Sequence, residues 1–216
     1  MSKNISKIHL EVLDKKRQAL LQKLTPIFKD FVLGGGTALT LQLVHRKSFD
    51  LDFFSSLKIT KKLLEKLSKN IEIKNVTIDT SDELTFFTKN NIKITFLYYP
   101  FKPSSTPSVT NGGLRYFTIK EIALQKAYTI GRRGEYRDYF DLYTILKKNY
   151  INLNKLIPIA KKVYGSLFDE KLFLGQLVYF GDILNFEVIP IDKTSLVSPD
   201  KIRSYFEDLV KTYLQR

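Results

Sequence analysis

The chain has 216 residues and a net charge of +13, with 44% apolar residues, no cysteine and two histidines, His9 and His45. That length gives one large domain or two small ones. The absence of cysteine excludes a disulfide framework and a thiolate zinc site, and two histidines exclude a histidine-rich metal site. There is no run of 18 apolar residues and no apolar stretch near the N-terminus of the kind a signal peptide carries, so a cytoplasmic protein with no membrane segment is expected. The basic balance suits a polyanionic partner such as RNA or a nucleotide, and equally an ordinary lysine-rich surface.

Residues 5–28 carry Ile8, Val12, Ala19, Leu20 and Leu24 at near-helical spacing, which predicts a first helix. A short strand is expected at Phe31–Leu33, a turn at Gly34, Gly35 and Gly36, and a helix over Thr37–His45 with Thr37 in the capping position. A second strand is expected at Phe49–Phe54, and a surface helix at Lys61–Lys69. Three more strands follow at Ile71–Ile78, Leu84–Thr88 and Ile92–Tyr99, with Asn90-Asn91 as a tight turn between the last two. The segment PFKPSSTPSVTNGG, 100–113, reads as a loop and a boundary.

Beyond it the pattern turns helical. Thr118 and Glu121 have capping-box spacing. Helices are expected at Tyr136–Lys148, after Asn152, at Phe168–Phe180, and from Ser198-Pro199, with Ile202, Tyr205, Phe206, Leu209, Val210, Tyr213 and Leu214 as the apolar face of the last. Strands in the first half and helices in the second give an α+β fold: a small mixed sheet with flanking helices over 1–110, then a helical region over 111–216.

Two features of the first half have chemical content. In a strand over 49–54, Asp50 and Asp52 project to one side while Leu51 and Phe53 project to the other. Two carboxylates one strand repeat apart can hold Mg²⁺ together with phosphate oxygens and water, or can simply face solvent. A glycine-rich turn that opens a helix presents backbone N–H groups to an anion, or is only a turn. Thr37 and Arg46 lie close enough in sequence to add a hydroxyl and a guanidinium to a phosphate site.

In the second half Lys126 falls in the middle of a helix, the usual place of a solvated lysine, though near an active site it would neutralise phosphate charge. Asp138 and Asp141 are three apart and share a helix face; a carboxylate near a helix N-terminus is favoured by the dipole, or one of the two orients Lys126, the nucleophile or a metal. Arg132, Arg133 and Arg137 add positive charge suited to RNA or a triphosphate, or to an ordinary basic surface.

The stretch GGGTALTLQLVHRKSFDLDFFSS resembles the signature of the AbiEii/AbiGii toxin family of nucleotidyltransferases, within the wider DNA polymerase beta-like superfamily. The matching positions are Gly35-Gly36, Arg46-Lys47-Ser48 and Asp50-Leu51-Asp52. The block EIALQKAYTIGRRGEYRDYFDLY resembles the family's second motif at Lys126, Arg133-Gly134, Arg137, Asp138 and Asp141, and QLVYFGDI resembles a C-terminal family segment.

The resemblance implies a metal-dependent enzyme that transfers a nucleoside monophosphate from an NTP, with Mg²⁺ or Mn²⁺, in a toxin–antitoxin or abortive-infection system of phage defence. Its family-attested acceptor is tRNA, and a cognate antitoxin is the expected partner. It implies that Asp50 and Asp52 hold metal, that Gly35, Gly36, Thr37, Arg46, Ser48, Arg133 and Arg137 bind nucleotide phosphates, and that Lys126, Asp138 and Asp141 complete the catalytic set. One departure stands out. The superfamily's third carboxylate aligns with Thr95, so either Asp138 or Asp141 fills that role, or the acceptor is deprotonated differently, or activity is reduced; the last leaves open a second reading, an RNA- or protein-binding module that keeps the fold with weak or no catalysis.

Overall fold

The structure, a computed structural model, describes residues 8–192 and 196–215, so the first three positions of the helix expected over 5–28 lie outside it. The chain forms two compact units, Met1–Thr118 and Ile119–Arg216.

The first unit is built on a seven-stranded mixed sheet. Its strands are β1 (Val32–Leu33), β2 (Leu51–Ser55), β3 (Ile73–Asp79), β4 (Glu83–Thr88), β5 (Lys93–Tyr98), β6 (Ser108–Val109) and β7 (Arg115–Tyr116), in the spatial order β3-β4-β5-β2-β1-β7-β6. The pairs β2–β5 and β1–β7 are parallel and the others antiparallel. Helices α1 (Lys15–Leu24), α2 (Gly35–Leu43) and α3 (Lys61–Ser68) complete the unit.

The expected first helix is broken up. A single 3-10 turn, Leu10–Val12, gives way to extended backbone at Leu13, and α1 restarts after Asp14, whose carboxylate accepts from the Arg17 N–H. Pro26 has no N–H to continue an α-helix, and the chain leaves α1 through a 3-10 turn over Thr25–Ile27. Leu21 and Leu24 of α1 are buried with Phe28. The Phe28 ring lies 4.7 Å from Phe96, which stacks on Phe53 at 5.2 Å. This aromatic cluster anchors the core face of β2 and β5.

Asn91 takes φ +57° in the β4–β5 turn, a conformation asparagine tolerates. The edge strand β3 is mostly exposed and carries two register breaks against β4, which disrupt the regular edge that another strand would pair with. The loop expected over 100–113 contains β6, because Gly113 at φ +87° turns the chain back onto β7.

The second unit holds α4 (Ile119–Thr129), α5 (Tyr136–Lys147), α6 (Leu153–Tyr164), α7 (Glu170–Val178) and α8 (Pro199–Leu214). Asn152, Asp169 and Ser198 cap the last three through their side chains, and Pro199 occupies the first turn of α8. The expected helix over 168–180 begins only after Asp169, since that carboxylate satisfies the Leu172 N–H and leaves Phe168 extended. On α8, Ile202, Phe206 and Val210 are buried, whereas Leu214 is exposed. No helix among the described residues is long and apolar enough to cross a membrane.

Candidate active site

In the first unit the glycine turn and the two aspartates form one assembly. Strand β1 runs into Gly34, which is the N-cap of α2. Its N–H donates to the Asp52 carbonyl at 2.9 Å. Gly35 follows at φ +61°, and a Cβ there would lie 2.8 Å from Asp52 Oδ2. A Cβ on Gly36 would collide with Arg46 Nη2 and stand 3.1 Å from Ser48 Oγ. The glycines therefore let three later side chains close against the start of α2.

Thr37 is not the cap. It lies inside the first turn of α2, buried, with Oγ1 donating to the Asp50 carbonyl and 2.9 Å from Ser48 Oγ. Its hydroxyl ties the start of β2 to the helix. The first N–H groups of α2, at Gly35, Gly36 and Thr37, have no carbonyl of their own helix to bond, and they sit at its positive end. Arg46 is buried beneath the turn, with Nη1 donating to the Lys47 carbonyl at 3.0 Å.

Asp50 and Asp52 are half-buried and alternate with Leu51 and Phe53, which are 0% and 2% exposed in the core. Asp52 pairs in register with Thr95 of β5, and Thr95 with Thr85 of β4. Thr95 is buried and supplies no carboxylate beside Asp52. Among the described residues no group of three or more carboxylate, histidine or cysteine side chains is placed to hold a metal. Gly35→Ala forces a side chain into left-handed backbone and against Asp52. It is expected to cost about 1–2 kcal/mol in chemical denaturation.

In the second unit Lys126 is 4% exposed rather than solvated. Its Nζ lies 2.6 Å from Asp138 Oδ1 and 2.8 Å from Asp141 Oδ2. Arg133 Nε and Nη2 donate to Asp138 at 2.8 and 3.0 Å. Helix α4 supplies the lysine, and one turn of α5 supplies both carboxylates, as their three-residue spacing requires. Lys126 and both carboxylates are buried and the half-exposed Arg133 supplies the second cation, so the charges balance, which is the condition for burying such a group at tolerable cost. Burial raises the Asp138 pKa, but the Lys126 charge and the Arg133 hydrogen bonds outweigh it and hold the carboxyl below its ordinary value.

That shift fixes a pH dependence. The unfolded chain binds the Asp138 proton more readily than the folded one, so this contribution to stability is complete above pH about 4. It is lost as pH falls through the lowered folded value. Acid denaturation followed by circular dichroism should show a shallower loss for Asp138→Asn than for the unaltered chain over that window.

The remaining arginines are differently placed. Arg137 pairs with Glu135 at 3.0 Å in an exposed position. Arg132 stacks 3.9 Å from the Tyr128 ring and donates to the Tyr128 and Leu167 carbonyls, holding the end of α4. The sequence allows one of Asp138 and Asp141 to orient Lys126, and both do; it does not show that all three are buried, for which the signal is the apolar surroundings of Lys126 on α4. Sequence reading missed Phe49, 46% exposed between Ser48 and Asp50, with Arg17 donating to its carbonyl.

The family described as nucleotidyl transferase AbiEii toxin, type IV toxin–antitoxin system, matches residues 19–202. An uncharacterised protein of Aquifex aeolicus is 30% identical over 212 residues, 94% of this chain and 98% of that one. In fold, the chain is similar to an H. pylori protein assigned as a nucleotidyltransferase, at TM-score 0.56 and 21% identity over 98% of this chain and 95% of the other. It is likewise similar to the nucleotidyltransferase toxin MenT4 of Mycobacterium tuberculosis, at TM-score 0.55 and 17% identity over 93% and 83%.

Proposed function

Because the chain belongs to the AbiEii family of nucleotidyltransferase toxins, we propose that it transfers a nucleoside monophosphate from an NTP to the end of an RNA, a tRNA, with Mg²⁺ as the divalent ion and a cognate antitoxin as its partner in the cell. The observation that carries this reading is the closure of Asp52, Arg46 and Ser48 on the glycine turn of α2.

The residues fit a divalent cation. Asp50 and Asp52 leave the core on the side opposite Leu51 and Phe53. One or two carboxylates completed by phosphate oxygens and water is the donor set Mg²⁺ accepts. When bound, the ion would lower the charge on the phosphates and on the attacking and leaving oxygens.

The chain's own groups do the rest. The free N–H groups at Gly35, Gly36 and Thr37 bind phosphate oxygens at the positive end of α2. Arg46, held under the turn, adds a fixed positive charge behind them, and Ser48 orients beside it. By the family's pattern Lys126 is the catalytic cation of the second unit, with Arg133 and Arg137 as its further phosphate-binding groups. The acceptor hydroxyl attacks the α-phosphorus while the bond to the β-phosphate oxygen breaks and pyrophosphate leaves.

Asp138 is a poor proton acceptor, being held charged by two cations. It and Asp141 position Lys126 rather than act as general base. Thr95 cannot take that proton either, which points to removal by solvent. Calorimetric titration with Mg-NTP tests the nucleotide site. Binding should be lost in Asp50→Asn/Asp52→Asn and retained in Thr95→Val. Equal binding by the double variant would refute the assignment.

A further inference from the structure

Around the end of the sheet where Asp50 enters β2 lies a groove of about 1000 Å³ in the first unit, rimmed by Lys15, Lys16 and Lys23 of α1, Lys69 after α3, and Lys89 in the β4–β5 turn. We propose that this groove docks the sugar–phosphate backbone of the acceptor RNA, and that Phe49 stacks a base where that strand reaches the aspartates. The proposal rests on the RNA-acceptor reading above and adds where the RNA lies.

Four observations support it. First, the groove is joined to the site. Arg17, between the groove lysines and the core side of α1, donates from Nε to the Phe49 carbonyl at 2.8 Å, and Phe49 immediately precedes Asp50. The β4–β5 turn leads into Lys93, the residue before the register partner of Leu51, so it lies at the same sheet end.

Second, the charge is one-sided. The five lysines meet one carboxylate, Glu72, which pairs with Lys89 at 2.7 Å, with both side chains about three-quarters exposed. Third, Lys15 and Lys16 occupy the first turn of α1, where the capping carboxylate of Asp14 is taken up by Arg17. Cations there oppose the helix dipole, and a bound polyanion would relieve that cost.

Fourth, the lining fits nucleic acid better than an acidic protein. Of its large apolar side chains Ile71 and Ile92 are buried and Leu20 and Ile73 half-buried, so none stands fully open as the kind of anchor on which protein interfaces depend. A large apolar group exposed close by is an aromatic one. Phe49 is 46% exposed with the Arg17 guanidinium 5.4 Å from its ring, an arrangement on which a base can stack.

The test uses the full chain, a labelled tRNA and a KCl series. For Lys15→Ala/Lys16→Ala/Lys69→Ala, the KM for tRNA should rise about tenfold or more, and the slope of log affinity against log salt should fall by about two. The kcat at saturating RNA and the affinity for Mg-NTP should stay within about twofold, since none of the three residues belongs to the nucleotide site. Phe49→Ala should lower kcat/KM for tRNA about tenfold, and Phe49→Tyr should restore it. Unchanged RNA KM in the triple variant would overturn the proposal. So would an unchanged RNA KM accompanied by loss of polyglutamate binding, which would assign the groove to an acidic protein. If the unaltered chain binds Mg-NTP but labels no RNA, the acceptor reading itself has failed, and the groove assignment falls with it.

Discussion

Lys126→Met should lower the unfolding free energy by about 3–5 kcal/mol and reduce transfer by about 100-fold or more. The stability loss follows from what remains: Asp141, fully buried, loses its bonded ammonium, and Asp138 keeps only Arg133. The activity loss follows from the proposed catalytic role of the ammonium. The two effects separate in Lys126→Met/Asp141→Leu. That pair removes one cation and one anion together and leaves Asp138 with Arg133. Its stability in urea should return most of the way to that of the unaltered chain, while transfer should stay low. Recovery of activity with stability would show that Lys126 acts only as a buried structural charge.

The second large effect is at Asp52. Asp52→Asn keeps the shape of the side chain beside Gly35 and removes its charge. Transfer should fall about 100- to 1000-fold, with a melting temperature close to that of the unaltered chain, because Asp52 is only half-buried and lies on the side of β2 away from the core. A variant that loses activity only in proportion to lost folded protein would instead make Asp52 a structural partner of the turn. Asp50→Asn, at the entry to the same strand, should behave alike. Thr37→Val should not. It removes the hydroxyl that grips the Asp50 carbonyl, so its loss of activity should come with a loss of stability.

Much of each unit's charged cluster can be read along the chain because its parts are periodic. The alternation over 50–54 puts Leu51 and Phe53 in the core and the aspartates on the other side, as a strand of that pattern must. The i,i+3 spacing of Asp138 and Asp141 puts both on one face of α5. Ser198-Pro199 and Asn152 start helices where capping chemistry says they should.

What is not legible depends on partners distant in sequence. Mid-helix placement makes Lys126 look solvated, and only the return of α5 supplies the carboxylates that bury it. The need for glycine at 36 is set by Arg46, ten residues on. Thr37 has the chemistry of a cap, yet Gly34 takes that place because Gly35 can adopt positive φ and start the helix earlier. Strand β6 is two residues long, too short for any alternation to mark it.

The most direct test of the central claim is transfer itself. Purified protein is incubated with each α-labelled NTP, Mg²⁺ and total tRNA, beside folded Asp52→Asn. The account predicts label on tRNA from the unaltered chain with at least one nucleotide, and its loss in the variant. Equal labelling by Asp52→Asn, or no labelling from a folded chain that binds Mg-NTP, would contradict it.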